Sequence, residues 1–263
     1  LSVVYFYDEY KKGRTPNPDI LCNKYIKFDL FLKKALEKGA FAIATGHYTL
    51  ISDNILYKGV DREKDQSYFL YTLTKEQLAH TLFPLGELKK TQVREIAKNA
   101  EFPNFDKKDS QGICFIGAVD TKTFLEQELP KKMGDIVNAE GEKIGMHDGV
   151  QYYTEGQREG LNLGGLKEAH YVGYKDIETN TLIATVKDHP LLFSKKIFIS
   201  NLQITQGKKI PTSVCAKIRY RQPDQEVRIQ KVENGYELHF SEAQLSMSEG
   251  QSAVLYYGDK LLG

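Results

Sequence analysis

The spacing of apolar residues divides the 263-residue chain into an α/β first part and a β-rich second part. Apolar side chains recur at helical spacing over Ile26–Leu36, and Gly39 follows where a C′ glycine ends a helix. The apolar run Phe41–Thr45 predicts a short strand that is buried on both faces. It ends at Gly46 and His47, a position at which open α/β sheets bind ligands.

Polar caps and prolines mark the other elements of the first half. Thr74 and Gln77 form a capping box, which predicts a helix ending near Leu82. We also predict a helix that begins at Thr91 and ends before Phe102, an exposed loop over Asp106–Gly112, and a helix over Lys122–Leu129 that Pro130 stops.

Short strands and glycine-containing turns dominate after residue 121. Hairpins are predicted around Ala139–Glu142, Glu178–Thr181 and Asn234-Gly235, and Val214–Arg221 alternates with one cationic face. A small closed or nearly closed barrel would bury such strands without free edges. The predicted domains are an α/β domain over 1–121, a mainly β domain over 122–192 and a β-barrel over 193–263.

Composition excludes several classes of protein. The chain is 41% hydrophobic and 27% charged, and it has no apolar run of the roughly 18 residues that span a bilayer. The formal charge of +1 excludes a globally basic coat for nucleic acid but allows a local basic face. Three cysteines without a C-x-x-C spacing exclude a disulfide scaffold and a four-thiolate zinc site, and they fit a reducing compartment.

Cys22 follows an extended segment with two prolines, at the predicted start of a helix. Asp19 is placed to cap a helix beginning at Ile20, with Cys22 in its first turn and on the same face. Main-chain N–H groups and the helix dipole favour a thiolate there, and Asp19 could act as an acid or base for a substrate between the two side chains. The alternative is a capped helix whose cysteine is a small buried hydrophobe.

The other two cysteines lie in different contexts. Cys114 follows a polar loop and lies between Gly112 and Gly117, so it is either a thiol on a mobile segment or part of a buried strand. Cys215 has strand-like neighbours and is interpreted as packing. The spacing supports neither a zinc site nor a Cys–His hydrolase that uses Cys22 and His47.

Two short motifs combine cations, amides and an aromatic ring. The motifs are Lys64-Asp65-Gln66 and Arg219-Tyr220-Arg221, and they could hold phosphates and stack against or read unpaired bases. Lysine pairs along the chain could follow the phosphate backbone of a nucleic acid. The alternative is a solvated surface. The glycine-rich stretch 156–165 lacks phosphate-loop spacing and has no assigned role.

Several longer motifs together resemble the tRNA-specific 2-thiouridylases. They run in order along nearly the whole chain: Gly13–Lys24, Ala44–Tyr48, Lys64–Leu70, Asp109–Gly117, Gly156–Arg158, Lys217–Arg221 and Gly250–Val254.

The resemblance implies an adenylating PP-loop domain with a Rossmann-like parallel sheet, a small central domain and a C-terminal β-barrel. It implies thiolation at C2 of the wobble uridine, position 34, in tRNAs for Lys, Glu and Gln. The implied cofactor is ATP with Mg²⁺ as its counter-ion, without a protein-bound metal site. A persulfide donor protein would supply sulfur, in the cytoplasm and without a membrane.

The resemblance also implies roles for single residues. Cys114 would carry the persulfide, Cys22 would act as the nucleophile and close a disulfide with it, and Asp19 would be an acid or base. It also implies that Asn17, Pro18 and Asp19 line the target base and that Gly46 contacts ATP. The residues that it implies contact tRNA are His47, Lys64, Asp65, Gln66, Arg219, Tyr220 and Gln251.

One signature of that family, the phosphate-binding Ser-Gly-Gly-Val-Asp-Ser-Ser, is absent from the 263 residues. We therefore expect an N-terminally truncated polypeptide that alone binds ATP poorly and does not thiolate tRNA. The competing hypotheses are a non-catalytic RNA-binding module and another PP-loop pyrophosphatase or ligase, which would need no paired thiols.

Overall fold

A computed structural model describes residues 2–107, 121–204, 210–211 and 213–263. Its α-helices are α1 (Ser2–Lys11), α2 (Pro18–Leu21), α3 (Leu32–Glu37), α4 (Lys75–Ala79), α5 (Lys90–Asn99) and α6 (Thr121–Leu125). A π-helical segment, Cys22–Phe31, joins α2 to α3, and 3₁₀ turns cover Ser67–Leu70, Val150–Tyr152 and Pro190–Leu192. The strands are β1 (Ile43–Ala44), β2 (Thr49–Ser52), β3 (Ile55–Lys58), β4 (Thr81–Leu82), β5 (Gly134–Val137), β6 (Lys143–His147), β7 (His170–Asp176), β8 (Thr181–Val186), β9 (Phe193–Ile199), β10 (Ser213–Lys217), β11 (Gln225–Val232), β12 (Gly235–Leu245), β13 (Val254–Tyr257) and β14 (Lys260–Leu261).

The described chain forms two compact units. The first contains Leu1–Asn17, Ala118–Phe198 and Glu237–Ser252, and the second contains Pro18–Gly117, Ile199–Tyr236 and Ala253–Gly263. No helix among the described residues is long and apolar enough to cross a bilayer.

A four-stranded sheet, in the order β6-β5-β8-β7, forms the centre of the first unit. β5 and β6 pair antiparallel, as do β7 and β8, which confirms the hairpins predicted around Ala139–Glu142 and Glu178–Thr181. Ile136, Val172 and Leu182 are fully buried in this unit, as apolar positions of paired strands should be. The predicted helix after Lys122 is shorter than expected: α6 ends at Leu125, and turns lead from there to Leu129.

The helical part of the second unit follows the predicted periodicity. Gly39 has a φ of 86° and donates its N–H to Leu36 O, which is the expected helix end. The helix predicted to begin at Ile20 begins earlier, at Pro18. Proline fits the first helical position, because the N–H of that position has no helical acceptor. α5 also matches its prediction within two residues.

The strand expected over Phe41–Thr45 is reduced to β1, which pairs in parallel with β4. Burial on both faces was a wrong expectation, because Phe41 is 80% exposed and Ala44 is exposed too. The helix that starts at the Thr74 capping box ends at Ala79 instead of near Leu82, because Thr81–Leu82 forms β4.

Six strands of the second unit form one sheet in the order β2-β3-β14-β13-β10-β11. The hairpin of β2 and β3 joins this sheet through Tyr57, which pairs with Lys260 of β14. Among these described strands the order does not return to its start, so they form an open sheet. The turn at Asn234 lies between β11 and β12 as predicted.

Candidate functional site: a basic cleft and a proline-containing segment

A cleft of about 350 Å³ lies on the second unit. Residues 62–65 line one side, and Lys217, Tyr220, Arg221 and Gln222 line the other. The lining contains four cationic side chains and two carboxylates, so its charge is positive. The fold thus brings together two motifs that lie more than 150 positions apart in the sequence.

Asp65 anchors one side of the cleft from within. Only 4% of it is exposed, and its Oδ1 accepts the N–H of Gly59 at 3.0 Å and of Ser67 at 3.2 Å. Its Oδ2 accepts the hydroxyl of Ser67 at 3.0 Å and lies 3.7 Å from Nζ of Lys217. A carboxylate that accepts several N–H and O–H bonds holds its loop in place. Asp65 therefore fixes the loop that carries Lys64.

Gln66 connects this loop to Tyr48, the residue before β2. Its Oε1 accepts the N–H of Tyr48 at 3.1 Å, and its own N–H donates to Tyr48 O at 2.9 Å. The preceding His47 is 7% exposed and packs near the rings of Phe28 and Phe83. Burial lowers the pKa of His47 to about 3, with a smaller contribution from Lys27, so the imidazole is neutral at pH 7.

The other side of the cleft is a turn. β10 ends at Lys217, so the expected cationic strand through Arg221 was wrong. Gln222 closes the turn: its Oε1 accepts the N–H of Ile218 at 2.9 Å, and its own N–H donates to Arg219 O at 3.2 Å. Arg219 and Arg221 are exposed on this turn.

Tyr220 lies between the turn and the core. Its ring is 4.4 Å from that of Phe69, centroid to centroid, and 6.4 Å from that of Tyr68. The ring is half-buried and also lines the cleft. An aromatic side chain fixed in this way is a suitable platform for a base.

Lys217 is a largely buried cation of the cleft, with 11% of its side chain exposed. Its Nζ lies 3.8 Å from Oδ1 of Asp224 as well as close to Asp65, and Asp224 also forms an ion pair with Lys58. Neither Lys217 nor Arg62 was predicted from the sequence to be a site residue. The signal was present, since Lys217 lies two positions before Arg219 and Arg62 lies two positions before Lys64.

The predicted thiol site is described in part. Asp19 is in the first turn of α2 and does not precede the helix as an N-cap, because the helix begins one residue earlier. Cys22 is buried, with 4% exposed, at the start of the π-helical segment. Its neighbour Asn23 donates from Nδ2 to Phe69 O at 3.3 Å, which ties this helix to the turn after Gln66. Cys114 lies outside the described residues.

Asn17 and Gln251 belong to the first unit. Asn17 is half-buried, and Gln251 donates from Nε2 to Thr15 O at 2.6 Å, two residues before Asn17. Cys215 lies on β10 against the apolar core of the second unit, where burial raises the pKa of its thiol, as expected for a packing cysteine.

Comparisons with known proteins cover the chain from end to end. Family models match in order: tRNA methyl transferase HUP domain over residues 2–118, tRNA methyl transferase PRC-barrel domain over 122–185, and Aminomethyltransferase beta-barrel domain over 194–263.

Curated relatives share nearly half of its residues. The tRNA-specific 2-thiouridylase MnmA of Pseudomonas fluorescens is 48% identical over 270 residues, which cover 98% of this chain and 72% of the relative. The protein of the same name from Bacillus subtilis is 47% identical with the same coverage. That from Nitrosococcus oceani is 49% identical over 271 residues, or 98% of this chain and 74% of the relative. The chain belongs to the tRNA-specific 2-thiouridylase family. This membership confirms the fold class, an α/β domain with a parallel sheet followed by two β domains.

The family implies ATP, and Gly46 is the described residue to which the resemblance assigns an ATP contact. Gly46 is exposed two residues after β1, and a Cβ at its position would meet only Leu85, at 3.7 Å. An open, side-chain-free position at the carboxyl end of a parallel strand fits such a contact. It is a single contact, so no geometry for the phosphates follows from it. Among the described residues, no group of three or more His, Cys, Asp or Glu could hold a metal ion.

Proposed function

We propose that this protein transfers sulfur to C2 of uridine 34 in tRNAs for Lys, Glu and Gln, forming 2-thiouridine. In this proposal ATP, with Mg²⁺, makes the C2 oxygen a leaving group as AMP. The terminal sulfur of a persulfide on Cys114, loaded by a cytoplasmic donor protein, forms the bond to C2. The Cys22 thiolate then attacks the Cys114 sulfur, which leaves sulfur on the base and a Cys22–Cys114 disulfide. An external thiol reductant must restore the two thiols.

The observation that carries the proposal is the basic cleft of the second unit. Lys64, Arg62 and Arg221 offer positive charge for phosphates, and the half-buried Tyr220 offers a ring for an unpaired base. Cations for phosphates and an aromatic ring for a base are typical of surfaces that bind RNA. Arg219 lies on the same turn as Tyr220, and Gln66 supports the loop of Lys64.

Asn17, Pro18 and Asp19 are proposed to line the target base, with Asp19 as acid or base. Cys22 lies three positions after Asp19, one helical turn away. Because Cys22 is 4% exposed, attack by its thiolate requires a local movement that opens this helix start. A buried thiol is protected from wasteful exchange until that movement occurs.

The binding half of the proposal is tested with transcripts of the substrate tRNAs. In the double variant Lys64→Gln/Arg221→Gln, we expect tRNA affinity to fall by about tenfold at 0.1 M salt. The slope of log K against log salt should decrease by about 1.5. The matched control is Lys33→Gln/Lys98→Gln, which removes two exposed cations of the same unit away from the cleft. Equal losses in the two double variants would reject the cleft as the tRNA site.

The catalytic half is tested with the full encoded chain, ATP and a persulfide donor. Cys22→Ser and Cys114→Ser should each abolish 2-thiouridine formation, while tRNA affinity stays within about twofold of wild type. A wild-type protein that binds tRNA but forms no 2-thiouridine would instead support the non-catalytic RNA-binding module. ATP cleavage without tRNA binding would support another PP-loop enzyme.

A further inference from the structure

A buried lysine holds the main chain of the proline-containing segment in the first unit. Lys175 of β7 is 9% exposed, and its Nζ donates to Gly13 O and, at 3.0 Å, to Tyr153 O. Burial lowers the pKa of Lys175, and the carboxylates of Glu155 and Glu249 oppose this change. Burying an ammonium group costs free energy unless its N–H groups form hydrogen bonds with specific acceptors. Here they join Gly13 to the loop that contains Tyr153.

Gln251 holds the same segment two residues later. Its Nε2 donates to Thr15 O at 2.6 Å, while the Thr15 N–H donates to Glu249 O at 2.8 Å. The Thr15 hydroxyl lies 3.2 Å from that of Thr154. Gly250 has a φ of 88°, and a Cβ there would come within 2.8 Å of Thr15 N. The main chain of Thr15 is therefore bonded on both its N–H and its C=O.

Pro16 links this fixed main chain to Asn17. Proline fixes its own φ and restricts the residue before it, so the path from Thr15 to Asn17 has few free torsions. A displacement of the Thr15 carbonyl would therefore also move Asn17, because few torsions between them can absorb it. Pro16 itself is buried, which further limits its movement.

We propose that Lys175 and Gln251 are positioning residues, which hold the carbonyls of Gly13 and Thr15 and thereby place Asn17 against the target base. This inference rests on the proposed function, because it takes Asn17 to line that base. It gives Gln251 a different role from the direct tRNA contact that the resemblance implies. It also gives a role to Lys175, to which the resemblance assigns none.

The two roles of Gln251 predict different kinetics in the full encoded chain. Gln251→Met keeps the length of the side chain but removes the donor to Thr15 O. We expect kcat for 2-thiouridine formation to fall at least tenfold, with the Kd for tRNA within about twofold of wild type. Gln127→Met, the same change at an exposed residue of the first unit, should alter neither value. A rise in Kd with unchanged kcat would overturn the proposal in favour of direct RNA contact, and so would no change in either value.

Lys175 is tested by the same split between kcat and Kd. Lys175→Met should reduce kcat at unchanged Kd, and Lys175→Arg, which retains donors and charge, should recover part of kcat. If Lys175→Met fails to fold, the Gln251→Met result still decides the proposal. An equal loss in the arginine and methionine variants would remove Lys175 from it.

Hydrogen exchange gives a readout that does not depend on catalysis. The Thr15 amide is bonded to Glu249 O, and Gln251→Met should speed its exchange by about tenfold relative to wild type, because the opposite side of the residue is released. If the wild-type protein forms no 2-thiouridine but this exchange changes as expected, the proposed function fails while the hold on the segment stands. Unchanged exchange would overturn the hold itself.

Discussion

The two regions proposed to act on tRNA are built with opposite charges. In the first unit a buried cation, Lys175, captures main-chain carbonyls, and in the second unit a buried anion, Asp65, captures main-chain N–H groups. In both regions the buried charge holds a loop, and neighbouring residues are the proposed contacts to tRNA. A charged residue within a motif is therefore not by itself a ligand contact. The carboxylate oxygens of Asp65 accept hydrogen bonds from Gly59 and Ser67, whereas Lys64 beside it lines the cleft.

The largest expected effect comes from the close main-chain approach in the first unit. Gly250→Ala would put a Cβ 2.8 Å from Thr15 N at a φ of 88°. The clashing atoms are main-chain atoms, which cannot rotate away as a side chain can. We expect the free energy of unfolding to fall by about 3 kcal/mol, measured by urea denaturation.

Gly13→Ala is the matched control for that change. Its Cβ would come within 2.2 Å of Ile177 Cδ1, the end of a flexible side chain, at a φ of 74°. The expected loss is about 1–2 kcal/mol, because the side chain can rotate and mainly the backbone strain remains. Equal losses in the two variants would show that the Gly250 approach is not tighter than an ordinary side-chain contact.

The next effect concerns the buried anion of the second unit. Asp65→Asn replaces one acceptor oxygen by an amide and leaves Lys217 with one carboxylate neighbour, Asp224. We expect a loss of about 2 kcal/mol in the free energy of unfolding. Weaker tRNA binding should accompany it, because the loop of Lys64 is released.

Asp61→Asn is its control in the same loop. Asp61 is only half-buried, and it accepts the N–H of Glu63 at 3.2 Å and of Lys90 at 2.8 Å. We expect a loss below about 1 kcal/mol. If both variants lose the same stability and bind tRNA normally, the asparagine amide satisfies the Asp65 site and the charge is not needed.

Local sequence signals predicted the local elements. The Thr74 capping box forms with Gln77, and Gly39 ends its helix, because these signals act over three or four residues. Pairing over long distances in the sequence was not visible. No local pattern shows that Tyr57 would pair with Lys260, or that β4 would end α4 early by pairing with β1.

Lys175 shows why part of the site was missed. The alternation in β7 would place Val172 and Tyr174 on the same buried face, but a bulge shifts the register between them. Val172 is fully buried, whereas Tyr174 is 52% exposed and Lys175 turns inward. The bulge has no reliable signature in the sequence, although Gly173 lies within it. Arg221, in contrast, was visible as part of a cationic motif, and only its place on a turn was not.

The smallest expected effect is a pH dependence caused by His47. His47 has an ordinary pKa of 6.5 and a folded-state pKa of about 3, so between these values the unfolded chain binds one proton more. Stability is therefore complete above pH 6.5 and falls as the pH decreases, by about 1.4 kcal/mol between pH 7.5 and 5.5.

His47→Gln should remove this part of the acid loss in urea denaturation at the two pH values. Thr45→Val is the control, because it removes only the hydroxyl 2.8 Å from Nδ1 and leaves the buried imidazole. It should lower stability at pH 7.5 yet keep the acid loss. An acid loss that persists undiminished in His47→Gln would assign it to other groups, such as His147 in the first unit, whose pKa burial also lowers.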